Sequence, residues 1–184
     1  SPAGRELLGA SGFTADYGSL VGAFEPQSRR AFCGVASSVI VLNALRSAGP
    51  RTLQSALFPD LASEIRVTLG GMTLAQLAEL LRAHGVDAAV FYASDTDVDV
   101  FRATAQENLQ TAGDFVLVNY ERAVLGQGET GHISPLAAYN ADADRLLILD
   151  VAAYKYPPVW VGTADLWNAM NTIDSASGTT RGYL

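Results

Sequence analysis

The sequence is poor in reactive side chains. Its 184 residues include one cysteine, Cys33, one lysine, Lys155, and two well-separated histidines, His84 and His132. A single cysteine excludes an intrachain disulfide, a Cys-x-x-Cys redox pair and any structural zinc site built on two or more thiolates. The separation of the histidines excludes the His-Glu-x-x-His metalloprotease arrangement, and no Gly-x-Ser-x-Gly elbow occurs. Apolar runs such as Val39–Leu42 and Phe115–Val118 fall far short of the ~20 residues that cross a bilayer. Positive charge is also scarce. Twelve basic side chains face 19 acidic ones, for a net charge of −7, and only Arg29 and Arg30 are adjacent. Nucleic acids and anionic membranes select clustered cations, so neither is expected as a partner.

What remains is a chain able to bury a core. Hydrophobic residues make up 49% and charged residues 17%, against a usual ~25% charged. Residues 1–184 are read as one domain in two lobes, helical over about 24–112 and sheet-rich over about 113–184. A chain opening on Ser1 and not on methionine is read as processed or trimmed, with bacterial periplasm and cytoplasm both left open.

Residues 1–31 have weak periodicity and read as loop with a short helix. From Phe32, the residues Val35, Val39, Leu42 and Leu45 recur at helical spacing until Gly49-Pro50. Thr73 and Gln76 have capping-box spacing at the head of a helix that ends at Gly85. A strand is expected over 86–92 and a helix over 95–110, with acidic residues at its start. Strands are expected over 115–120, 132–139 and 146–151, a helix over 163–170, and an edge strand from Thr180. Helices first and antiparallel strands second make an α+β protein. Gly126–Gly131 matches the dinucleotide Gly-x-Gly-x-x-Gly pattern, but a strand and not a helix follows it, so it is read as a loop.

Cys33 is the main chemical signal. It opens a predicted helix, where the dipole favours thiolate, and small residues follow it. Gln27 lies just upstream, where its amide N–H is suited to an oxyanion beside the Cys33 backbone N–H. His132 opens one strand and Asp150 closes the next, so a carboxylate can orient an imidazole beside the thiol. His84, next to Gly85 at a helix end, suits a structural place at the C-terminal dipole. The order Gln27, Cys33, His132, Asp150 is that of a papain-like thiol hydrolase, with a cleft between helical and sheet halves.

These residues also resemble a family. Gln27 with Cys33-Gly-Val-Ala36 and Leu42-Asn-Ala-Leu45 is similar to the N-terminal signature of the phytochelatin synthases. So are Gly131-His-Ile-Ser-Pro135, Leu147-Ile-Leu-Asp-Val151, Tyr154-Lys-Tyr-Pro-Pro-Val-Trp160, Leu166-Trp167, Asp174 and Arg181-Gly-Tyr183. The resemblance spans roughly residues 24–183. It implies a papain-like cysteine protease fold and a Cys33, His132, Asp150 triad. It also implies glutathione as substrate, cleaved at its Cys–Gly bond through a γ-glutamylcysteinyl thioester with release of glycine. Asp174 and Arg181 are implied to hold the γ-glutamyl zwitterion, which calls for one acid and one base. Gly131, Ser134 and Tyr156 complete the expected substrate-binding set, although the Tyr154–Trp160 aromatics equally suit packing against the sheet.

Two departures favour hydrolysis to γ-glutamylcysteine over transfer to phytochelatin. Ala153 stands where the family usually has an arginine, and the sequence has no cysteine-rich region of the plant type. No cofactor is expected on the protein itself; cadmium or zinc ion would enter as a glutathione thiolate complex. A homodimer is compatible with this reading. The rival readings are a papain-like peptidase cutting double-glycine leader peptides, and a non-catalytic glutathione- or peptide-binding module.

Overall fold

The computed structural model describes residues 1–46 and 48–184. Its elements, in chain order, are α1 (Pro2–Gly9), α2 (Tyr17–Ala23), α3 (Cys33–Leu45), α4 (Leu61–Gly70), α5 (Leu74–Ala83), β1 (Phe91–Tyr92), α6 (Val98–Gln110), β2 (Leu117–Glu121), β3 (Gly131–Asn140), β4 (Arg145–Ile148), β5 (Val159–Gly162), α7 (Thr163–Met170) and β6 (Gly182–Tyr183). The strands form one antiparallel sheet in the order β1-β6-β2-β3-β4-β5. This is the expected α+β class.

Alternation along the strands sorts side chains between two helical layers. Val118, Tyr120, Leu136, Leu146 and Ile148 pack with Phe101 of α6 and with Leu166, Trp167 and Met170 of α7. On the opposite face, Leu117 and Ile133 meet Val35 and Val39 of α3, while Ala137, Ala138, Leu147 and Leu149 meet Ala36 and Ile40. The β3–β4 register shifts between Leu136 and Ala138. That bulge turns two consecutive alanines toward α3 and lets the helix lie close to the sheet.

Helix α3 is buried from Gly34 through Leu42, as expected of a helix apolar on all sides. Its two interior hydroxyls are satisfied: Ser37 donates to the Ile133 carbonyl at 3.2 Å and Ser38 to the Gly34 carbonyl at 2.9 Å. A Cβ on Gly34 would lie 3.3 Å from Met72 Sδ and 3.5 Å from Ile133 Cδ1. Glycine next to Cys33 therefore sets how closely the helix start approaches β3.

Four expectations need correction. Residues 1–31 hold two helices: Ser1 caps α1 by accepting from the Gly4 N–H at 3.1 Å, and α2 buries Leu20 and Ala23. Their few apolar residues leave little periodic signal. Of the expected 86–92 strand, only Phe91–Tyr92 pairs. The strand after Thr180 is interior, inserted between β1 and β2, because Gly182 permits close approach: a Cβ there would stand 2.0 Å from the Phe91 carbonyl oxygen. The 95–110 helix begins at Val98, with Asp97 as its cap. The capping box at Thr73 and Gln76 forms as read, as does the helix over 163–170. The end of the α3 run falls partly on Ser47, outside the described residues. Among the described residues, no helix is long and apolar enough to cross a membrane.

Candidate active site

Cys33 is the first residue of α3, and the cap position before it is Phe32, which offers no side-chain cap. The first N–H groups of the helix are thus left without helical acceptors and face the thiol end of the helix. His132 lies near the start of β3, paired in register with Tyr120 of β2, whose ring meets the imidazole edge-on at 5.7 Å. The imidazole Nε2 and Asp150 Oδ1 are 2.9 Å apart. Nε2 is thereby committed, which leaves Nδ1 for the thiol.

The three groups shift one another. Burial pushes the Cys33 thiol up, but the hydrogen bond and charge of His132, with backbone groups of Ile133 and Gly34, more than reverse this and hold it below its ordinary value. Burial pushes the His132 imidazole down, and Asp150 and Cys33 outweigh burial and raise it. Burial likewise opposes ionisation of Asp150, yet His132 and Arg122 bring its carboxyl down to about 2. A lowered thiol beside a raised imidazole shifts the balance toward a thiolate–imidazolium pair.

Asp150 lies just beyond β4 and is fully buried. Its Oδ1 accepts from His132, from Arg122 Nη2 at 2.8 Å and from the Ala152 N–H at 2.8 Å. Arg122 Nη1 stands 2.8 Å from Oδ2, an ionic contact that leaves Oδ2 without a hydrogen bond. Arg122 follows β2, is 2% exposed, also donates to Gln127 Oε1, and lies 4.4 Å from the Tyr156 ring centre. Sequence reasoning missed Arg122. Its one signal was an arginine directly after an apolar strand, and an arginine in isolation carries no pairing information.

Two cavities meet at Gly131 and His132. One, about 410 Å³, is lined by Cys33, Asn119, Gly131, His132, Asp174 and Arg181, with the end of α4 as its far wall. The other, about 520 Å³, is lined by Gln27, Arg30, Arg122, Tyr154, Lys155 and Tyr156.

Asp174 and Arg181 come together on the two arms of a small hairpin between α7 and β6, closed by the Ile173–Thr180 bridge. The Arg181 guanidinium donates to Thr172 Oγ1 at 3.0 Å and to the Ile173 carbonyl at 2.6 Å, and its Nη2 pairs with Glu121 at 3.0 Å. Its buried Nε has no partner. Gly131 lies against this group; a Cβ there would stand 2.9 Å from Nη2. Asp174 Oδ2 is 3.4 Å from Asn119 Nδ2.

Two expected site residues, Gln27 and Ser134, sit differently, and Tyr156 lines the second cavity beside Gly131 and His132. Gln27 Nε2 donates to the Arg29 and Arg30 carbonyls at 3.0 and 2.9 Å. Both amide protons are used to close the turn leading into α3, so no proton is left for an oxyanion. Ser134 is fully buried and its Oγ accepts from the Val151 N–H at 3.3 Å. It ties β3 to the Asp150 segment and reaches neither cavity. Tyr156 lines the second cavity, with its hydroxyl accepting from the Gly128 N–H at 3.1 Å. His84 stays away from the site, 3.2 Å from the Leu57 carbonyl.

With this geometry, comparison decides the family. The model of the family described as phytochelatin synthase matches residues 1–183. The chain belongs to the phytochelatin synthase family. It is 36% identical to glutathione gamma-glutamylcysteinyltransferase 3 of Lotus japonicus over all of this chain and 40% of that protein. It is 35% identical to glutathione gamma-glutamylcysteinyltransferase 1 of Arabidopsis thaliana over 90% of this chain and 36% of that protein. It is 29% identical to the Schizosaccharomyces pombe glutathione gamma-glutamylcysteinyltransferase over 92% of this chain and 42% of that protein. The chain thus spans about two-fifths of the length of these relatives. Within this phytochelatin synthase domain, among the described residues, no three His, Cys, Asp or Glu side chains converge on a position that would hold a metal ion.

Proposed function

We propose that this phytochelatin synthase domain is a papain-like cysteine enzyme that cleaves the Cys–Gly amide of glutathione. The observation that carries the reading is the placement of Cys33: a thiol at the head of α3 whose pKa His132 lowers, in the same cavity as Asp174 and Arg181. The relatives' names describe transfer of a γ-glutamylcysteinyl group from glutathione.

In this reading the γ-glutamyl α-carboxylate takes the Arg181 guanidinium, and its α-ammonium takes Asp174. Cys33 Sγ attacks the Cys–Gly carbonyl carbon. The N–H groups at the start of α3 receive the developing oxyanion. The imidazolium of His132 protonates the leaving glycine amine, and a γ-glutamylcysteinyl thioester stays on Cys33. Neutral His132 then removes a proton from the acceptor. Water gives γ-glutamylcysteine; the amine of a second glutathione gives phytochelatin. Hydrolysis is favoured because an alanine, Ala153, is exposed between two residues that line the second cavity, and supplies no guanidinium to hold an acceptor. A cadmium or zinc ion belongs to this scheme as part of the substrate, bound by glutathione thiolates.

Incubation with glutathione is expected to release glycine and γ-glutamylcysteine, with no release from Cys33→Ala. Intact protein that releases no glycine, or equal release from Cys33→Ala, overturns the reading. Phytochelatin as the main product, with or without cadmium ion, would overturn the preference for hydrolysis alone.

A further inference from the structure

Arg122 lines the second cavity, where a cation invites assignment to substrate binding. Its contacts argue otherwise. The side chain is 2% exposed, and Nη1 and Nη2 are already engaged by Gln127 and both oxygens of Asp150. The Tyr156 ring covers the guanidinium at 4.4 Å, with the Tyr120 ring at 5.8 Å. Such a group is built to hold a buried carboxylate and has little left to offer a ligand.

We propose that Arg122 is a positioning residue: it keeps Asp150 ionised and aimed at His132 Nε2, and acts on the Cys33 thiolate only through them. The inference rests on reading Cys33 and His132 as the reacting pair. The cluster alternates in sign, Cys33 (−), His132 (+), Asp150 (−), Arg122 (+), so each charge has an opposite neighbour inside the protein. Asp150 faces His132 from β3, Arg122 from the turn after β2, the Tyr120 hydroxyl from β2 and the Ala152 N–H. Arg122 faces Tyr156, which also meets Lys155, and Cys33 faces His132 from α3. Removing Arg122 leaves Asp150 easier to protonate and takes a cation away from the thiolate. Both changes move thiolate formation to higher pH.

The test is the pH dependence of Cys33 alkylation by iodoacetamide without glutathione, in wild type, Arg122→Met, Arg122→Lys and Gln127→Leu. Arg122→Met is expected to move the acid edge up by about one unit, slowing alkylation about tenfold on the acid side. Arg122→Lys restores the charge without the two-point contact and should lie between. Gln127→Leu, which only loosens the guanidinium, should shift the same way by less. If Arg122→Met does not fold, the lysine and Gln127 variants decide. Glycine release should fall by a matching factor at acid pH, with little change in KM for glutathione. Acid edges that coincide with wild type in every folded variant overturn the proposal, and a raised KM with an unmoved edge would assign Arg122 to substrate binding. Alkylation does not involve glutathione, so failure here is distinguishable from failure of the glutathione reading.

Discussion

The chemistry of this site is set by what each polar group is left to do once it is buried. Cys33 has an uncapped helix start on one side and His132 on the other, and His132 holds its pKa below the ordinary thiol value. Arg181 has its Nη groups engaged by Thr172, Ile173 and Glu121 and keeps Nε unpartnered. Gly131 is what allows that guanidinium to lie against β3. Gly131→Ala would thrust a methyl group against Nη2 and push Arg181 from its place without disturbing the core. We expect KM for glutathione to rise about tenfold or more, equivalent to ~1.4 kcal/mol of lost binding, with kcat and melting temperature changed far less. Steady-state kinetics and thermal denaturation check this; an unchanged KM would separate Arg181 from substrate recognition. Gln27 is the reverse case. Its position before the helix pointed to an oxyanion donor, but the turn it closes has two inward carbonyls that take its protons.

At the scale of elements, the helices read most directly from sequence were those with a local signature. α5 carries a full capping box, Thr73 accepting from the Gln76 N–H at 3.3 Å and Gln76 Oε1 accepting from the Thr73 N–H at 2.9 Å. α5 touches the site only through the packing of its buried leucines against α3. Thr73→Ala should therefore cost about 1 kcal/mol of stability, seen as a lower melting temperature, with glycine release per folded molecule unchanged. A loss of activity beyond that would mean that α5 positions Cys33 more tightly than its packing indicates. α4 had no such reading. It is capped by Asp60, accepting from the Ser63 N–H at 2.7 Å, and is tied to the turn before Cys33 by the Arg29–Glu64 pair at 2.8 Å. No residue of α4 is fully buried, so hydrophobic periodicity had little to report.

Across the whole molecule, the Arg122–Asp150–His132 cluster joins β2, β3 and the segment after β4, and so links the geometry of the candidate site to stability. Asp150 titrates at about 2 in the folded protein, against ~3.9 unfolded. A depressed folded value gives stability that is present above the unfolded pKa and lost as pH falls through the folded one. The contribution is on the order of 2–3 kcal/mol at neutral pH, disappearing between about pH 4 and pH 2. Asp16 acts with opposite sign, because burial raises its pKa against the Gly113 hydrogen bond. Asp150→Asn should lower the melting temperature at neutral pH, since it leaves Arg122 buried without a counter-charge, and should flatten the decline on acidification. Calorimetry across that range checks it; an equally steep decline would place the acid lability elsewhere.

The α+β class, the α3 and α7 helices, the capping box, the loop before His132 and the candidate thiol, imidazole and carboxylate were all legible along the chain. These follow from local periodicity, caps and the scarcity of reactive residues. Folding was needed to show that β6 lies inside the sheet, that Ser134 is buried behind the site, that Gln27 donates to its own turn, and that Arg122 grips Asp150. Each depends on which groups, distant in sequence, are left facing one another after burial, and an unpaired charge or donor is costly only once its partner and its access to water are known.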